Sequence, residues 1–141
     1  MYCYTYRHRV RYRECDPMGI VYHTHYLDYF EAARTEALRA MGLAYKSVEE
    51  QGLFMPVIDL AVQYKSPAFY DDLLEIHTCF DDVPRVRLPI RYEVYRTGDP
   101  ALLVGGHVTL CFFDQKRRQP IGAPPPLRTL FEQALHGEKA R

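Results

Sequence analysis

From Tyr2 to Arg13 the side chains alternate with period two. Tyr2, Tyr4, Tyr6, His8, Val10 and Tyr12 share one face, and Cys3, Thr5, Arg7, Arg9, Arg11 and Arg13 the other. This pattern predicts a half-buried strand with a basic outer side. Glu14-Cys15-Asp16-Pro17-Met18-Gly19 then reads as a turn, because proline presets one backbone angle and glycine admits a positive φ. From Thr24 to Met41 the period changes to 3.6. Tyr26, Tyr29, Phe30, Ala33, Ala37 and Met41 form an apolar stripe, Asp28, Thr35 and Arg39 lie opposite, and Gly42 falls just past the end. A helix of about 18 residues spans about 27 Å, long enough for a sheet to wrap. A shorter helical turn over Ala44 to Gln51 is closed by Gly52.

Alternation then returns in Ile58 to Lys65, in Leu74 to Phe80 and in Val86 to Tyr95, the last interrupted by Pro89 and so expected at an edge or a bulge. Thr97-Gly98-Asp99-Pro100 signals a hairpin. Leu102 to Phe113 is apolar on both faces and reads as a central strand, with Gly105-Gly106 marking a bulge or a close backbone approach. Pro124-Pro125-Pro126 reads as a breaker before a short terminal helix over Leu127 to Leu135, and the last few residues are expected to fray. The order is strand, long helix, four strands. It predicts an α+β fold in one domain over residues 1–141, with its core over about 6–135: a curled antiparallel sheet around one central helix.

Charge and composition narrow the function classes. The 141 residues carry 18 basic and 18 acidic side chains, so no net charge draws the chain to nucleic acid or to an anionic membrane. No apolar run approaches the roughly 18 residues of a membrane span, and the N-terminus lacks the apolar core of a signal peptide, so a cytoplasmic location is expected. Cys3, Cys15, Cys79 and Cys111 show no metal spacing and are expected to stay reduced, three of the four as small apolar fillers. The arginine stripe of the first strand reads as a solvated face.

The chemistry concentrates between Tyr12 and Tyr26, where a carboxylate, a glycine turn and two histidines precede a helix. The first N–H groups of a helix lack internal partners and sit at its positive end, so those near Tyr22 to Thr24 could hold a developing oxyanion. A carboxylate beside such a site is the minimum apparatus for acyl transfer. An aspartate before a turn is also a common turn residue in its own right.

The stretch from Asp16-Pro17-Met18-Gly19 through Tyr22-His23-Thr24-His25-Tyr26 to Phe30-Glu31, Arg34 and Glu36 resembles the signature of the 4-hydroxybenzoyl-CoA thioesterase and Tol-Pal-associated (YbgC-like) thioesterase family. A second block, Tyr64-Lys65-Ser66-Pro67-Ala68-Phe69-Tyr70-Asp71-Asp72-Leu73-Leu74-Glu75-Ile76, resembles that family's second segment, and Phe113-Asp114 a third. The resemblance implies the hot-dog fold and hydrolysis of an acyl-CoA, aliphatic or aromatic, without cofactor or metal. It casts Asp16 as the catalytic carboxylate, acting directly through a mixed anhydride or by activating water. It places His23 where a backbone N–H polarises the carbonyl and adds its side chain and Tyr12 to the catalytic set. Gly19, Tyr22 and Glu31 fall at substrate-binding positions. It further implies a homodimer, often paired into a homotetramer.

Each assignment has a plainer counterpart: His23 as a helix-cap or core residue, Tyr12 as core on the tyrosine face, Glu31 as the partner of Arg34. Asp59 and His107 read as hydrogen-bonded packing. Cys15 points away from Asp16 in an extended stretch, which speaks against a Cys–His nucleophile. His23, His25 and Asp16 lack a further metal ligand. His25 stands where many relatives carry asparagine, which leaves the acyl group open. Two other classes remain: a hot-dog hydratase or dehydratase, and a protein that binds acyl-CoA or acyl-carrier protein without turnover. The first would pair a histidine with a carboxylate, and the second would not need Asp16.

Overall fold

The structure, a computed structural model, describes residues 1–139; the last of the residues expected to fray lie outside this range. The strand order is β1 (Tyr2–Arg9), β4 (Leu73–Phe80), β5 (Arg87–Arg96), β6 (Leu102–Asp114), all antiparallel. β6 is the spine. β3 (Val57–Tyr64) and the two-residue β2 (Leu53–Phe54) border it on one side, and β5 and β7 (Gln119–Ile121) on the other. The curled face of this sheet covers α1 (His25–Met41), which turns Tyr26, Tyr29, Phe30, Ala33, Ala37 and Leu38 inward. The helix stops where expected: Gly42 adopts φ 107°, and its N–H closes on the Arg39 and Leu38 carbonyls. α2 (Tyr45–Glu50) follows, and α3 (Pro125–Lys139) caps one end of the core through Leu127 and Phe131. A fully buried Phe or Leu such as Phe30, Phe80, Phe112 or Leu88 contributes about 2 kcal/mol, so the core is the main source of stability.

Four expectations need correction. The first strand ends at Arg9, not Arg13, because the Glu14 carboxylate accepts the Arg11 N–H at 2.7 Å and folds Tyr12–Glu14 into a 3₁₀ turn. Six strands, not four, follow the helix, since β2 and β7 are too short to carry a period. The proline run opens α3 instead of preceding it: Pro125 is its first residue, where a missing N–H costs nothing. The cysteines are not all reduced. The β1–β4 register sets Cys3 opposite Cys79, with Cα atoms 4.1 Å apart, and the two form a disulfide; Cys15 and Cys111 are free.

Pro89 sits on an interior strand, but β4 pairing ends at Arg91, so no β4 residue is registered opposite it. Gly106 is the close approach. A Cβ there would meet Phe30 Cε2 at 2.9 Å, and Phe30 in turn stacks on Tyr92 with ring centroids 4.2 Å apart. This contact seats the helix on the sheet. Among the described residues no helix is long and apolar enough to cross a membrane.

Candidate active site

Residues 14 to 22 form a small hairpin at the mouth of the helix. The Tyr22 N–H donates to the Glu14 carbonyl at 2.9 Å, Cys15 and Val21 bridge, and the Asp16 N–H donates to the Ile20 carbonyl at 2.9 Å. The turn itself closes with the Gly19 N–H on the Asp16 carbonyl at 2.8 Å. Gly19 has φ 81°, and nothing lies within 4 Å of where its Cβ would be, so the backbone angle is what calls for glycine in this chain. Asp16 is half-buried. Its Oδ1 accepts the Met18 N–H at 2.9 Å, while Oδ2 has no protein partner among the described residues.

The second sequence block holds the first. The Val21 N–H donates to the Ala68 carbonyl at 2.9 Å, and Ile20 bridges Phe69. Asp72 fixes that loop: its carboxylate accepts the Phe69 N–H at 2.9 Å and pairs with Arg96 at 3.0 Å. Arg96 also donates to the Pro67 carbonyl at 3.1 Å, and Asp72 and Asp71 exchange backbone bonds with Val10. Two blocks some fifty positions apart in the chain thus form one ledge.

At the helix start, the His25 N–H donates to the Tyr22 carbonyl at 3.0 Å, and the Tyr64 hydroxyl donates to the His23 carbonyl at 3.0 Å. The His23 and Thr24 N–H groups have no backbone acceptor among the described residues, and Thr24 makes no side-chain cap. These are the orphan donors of a helix N-terminus. The His23 ring is exposed, packing on Tyr22 at 4.5 Å and edge-on against Tyr64 at 6.2 Å, so it is not a core histidine. His25 lies 3.5 Å from Asp28.

Tyr12 is not core either: it is 80% exposed, and its ring packs edge to face on Tyr70 at 5.5 Å. Tyr22 is exposed as well. Glu31 is exposed and makes no ion pair with Arg34, which lies instead beside the buried Tyr92 hydroxyl. Asp59 and His107 are an exposed pair 3.7 Å apart and not packing residues. Burial, together with the Glu14 and Asp16 carboxylates, pushes the Cys15 thiol up, which suppresses its nucleophilic form.

Sequence reasoning missed Glu14. It is 8% exposed and its Oε1 collects three donors: His8 on β1 at 2.9 Å, the Arg11 N–H just before the 3₁₀ turn at 2.7 Å and the Tyr29 hydroxyl on α1 at 3.0 Å. Burial alone would raise this carboxyl, but the Arg11 N–H, His8 and Tyr29 outweigh it and hold Glu14 below the usual range. Burial, and after it the Glu14 carboxylate, push the Tyr29 phenol well above its ordinary value. The only advance signal was a carboxylate two positions before Asp16, on the same side of an alternating stretch. Glu14→Gln is expected to cost about 2 kcal/mol in urea unfolding at pH 7, since it weakens a buried acceptor of three donors. Because the folded pKa is depressed, the stabilisation is complete above the normal glutamate range and is lost as pH falls below about 4. The gap between wild type and variant therefore closes on acidification; a gap constant from pH 7 to pH 3 contradicts this.

A single antiparallel sheet curled over one long helix, with a carboxylate hairpin at the helix N-terminus, defines a protein of the hot-dog fold. The chain belongs to the thioesterase-like superfamily, whose family model matches residues 10–131, and, like the named relatives, it is a thioester hydrolase. It is 32% identical over 124 residues to the acyl-CoA thioesterase YbgC of Haemophilus influenzae, covering 87% of this chain and 90% of that one. The solved DHNA-CoA thioesterase of Staphylococcus aureus superposes with TM-score 0.88 at 30% identity, over 99% of this chain and 96% of that one. A 4-hydroxybenzoyl CoA thioesterase mutant solved with 4-hydroxybenzoyl CoA superposes with TM-score 0.82 at 28% identity, over 92% and 99% of the two chains.

Proposed function

We propose that the protein hydrolyses acyl-CoA thioesters to the free acid and coenzyme A, with Asp16 as the reactive carboxylate. The observation that carries this reading is one hairpin that joins a carboxylate with an unclaimed oxygen to a helix start with unclaimed N–H groups. The thioester carbonyl oxygen is read as lying against the His23 and Thr24 N–H groups, where its developing charge is stabilised. Asp16 either attacks the carbonyl carbon, expelling CoA thiolate and leaving a mixed anhydride for water, or removes a proton from the attacking water. Thiolate is a fair leaving group, so neither step calls for a metal or cofactor. His23 and Tyr12 complete the proposed catalytic set, and Gly19, Tyr22 and Glu31 border the acyl site. The names of the relatives support a CoA ester, and the aromatic ones among them favour an aromatic acyl group. Release of free thiol from a panel of aliphatic and aromatic acyl-CoAs tests this. Turnover of at least one member is expected, and binding of every member without thiol release overturns it.

The same reading includes a homodimer or homotetramer. Among the described residues β3 pairs on one side only, with β6, and it exposes Val57, Ile58, Leu60 and Tyr64, while Met18, Phe69 and Tyr70 stand exposed around the hairpin. Such an open apolar edge beside the site is suited to a second copy of the chain. Sedimentation velocity is expected to return the mass of two or four chains, and Ile58→Asp to shift it toward one. A monomeric wild type at micromolar concentration contradicts this part.

A further inference from the structure

Tyr64 closes β3 and belongs to the second sequence block, far along the chain from the Asp16 turn, yet its hydroxyl donates to the His23 carbonyl at 3.0 Å. We propose that Tyr64 is a positioning residue for thioester hydrolysis: its bond to the His23 carbonyl aims the N–H groups at the start of α1 toward the substrate oxygen. This rests on the catalytic reading given above.

The argument is geometric. In a trans peptide the C=O of one residue and the N–H of the next point in opposite directions, and the described residues contain no cis peptides. Holding the His23 carbonyl therefore sets the direction of the Thr24 N–H. The preceding peptide is held in the same way: the Tyr22 carbonyl accepts the His25 N–H at 3.0 Å, which sets the His23 N–H. One of the two anchors is ordinary helix backbone; the other is a side chain from a different layer. The Tyr64 ring is itself seated edge-on against Tyr26, at 5.7 Å, and against His23, at 6.2 Å. Burial pushes the phenol up, so the hydroxyl keeps its proton as a donor at neutral pH. Preorganised donors stabilise an oxyanion because they need not reorient as charge develops. Without the Tyr64 hydroxyl the N–H groups remain, but the peptide that carries one of them is free to tilt.

Tyr64→Phe keeps the ring and removes the bond. Losing an oxyanion donor outright costs about a hundredfold or more in kcat, so losing an anchor is expected to cost about tenfold. KM is expected to change by less than about twofold and the melting temperature to stay within about 2 °C, because this removes stabilisation special to the transition state. A spectroscopic readout separates positioning from packing. In an Asp16→Asn background, which holds the thioester intact, the carbonyl stretch of bound benzoyl-CoA is expected to lie below its free value. Adding Tyr64→Phe is expected to move it back toward that value. A kcat within about twofold of wild type, or an unchanged carbonyl frequency, overturns the proposal. If wild type turns over acyl-CoA and Asp16→Asn does not, such a result refutes Tyr64 alone. If wild type turns over no thioester, the catalytic reading and the role of Tyr64 fall together.

Discussion

Asp16→Asn is expected to lower thioester turnover about a hundredfold or more, the loss typical of removing a key acid–base group. The fold should not notice the change. The side-chain oxygen that accepts the Met18 N–H survives in asparagine, which is equally at home in such a turn. What disappears is the negative charge on the oxygen without a partner among the described residues, and with it both the nucleophile and the base. Thiol release under saturating substrate, with a melting curve and a measured affinity for acyl-CoA on the same preparation, checks all of this. Retained affinity and melting temperature with lost turnover is the expected pattern. A variant that keeps more than about a third of wild-type kcat would move the chemistry to another group.

The second large effect belongs to the Cys3–Cys79 disulfide. It links positions 76 residues apart, and in the chain-entropy account a loop of that size is worth about 4 kcal/mol relative to the open denatured chain. For a domain of this length that corresponds to roughly 10 °C in melting temperature. The bridge adds no new path through the fold, because β1 and β4 already pair along their whole length; its effect lies in the unfolded state. Cys3→Ser/Cys79→Ser is therefore expected to melt about 10 °C lower with unchanged kcat. Titration of the unreduced, denatured wild type should find two thiols. Finding four thiols, or a melting temperature within about 2 °C of wild type, would refute the bridge as a stabilising feature.

The family blocks were legible as sequence, but their reason for belonging together was not. Asp72 reads as one of two adjacent acids; only in the fold does it grip Arg96 and the Phe69 N–H, so that Ala68 and Phe69 can support the Asp16 hairpin. Tyr12 illustrates the opposite failure. Its place in the alternation suggested burial, but the Glu14 carboxylate ends the strand early and turns Tyr12 out to solvent. The cysteines failed for a similar reason, since Cys3 meets Cys79 through strand register and not through spacing along the chain.

By itself, then, the sequence determined what depends on neighbours along the chain: the 3.6-residue stripe of α1, its stop at Gly42, the period-two strands, and a turn at Asp16 that needs a positive φ at Gly19. Periodicity and backbone angle are local properties, set by side-chain direction and sterics within a few residues. The tertiary structure alone decided which carboxylate is buried, which hydroxyl reaches the His23 carbonyl, which cysteines pair and which sheet edge stays open. Those outcomes depend on antiparallel register between segments dozens of residues apart, where a shift of one position sends every side chain to the other face.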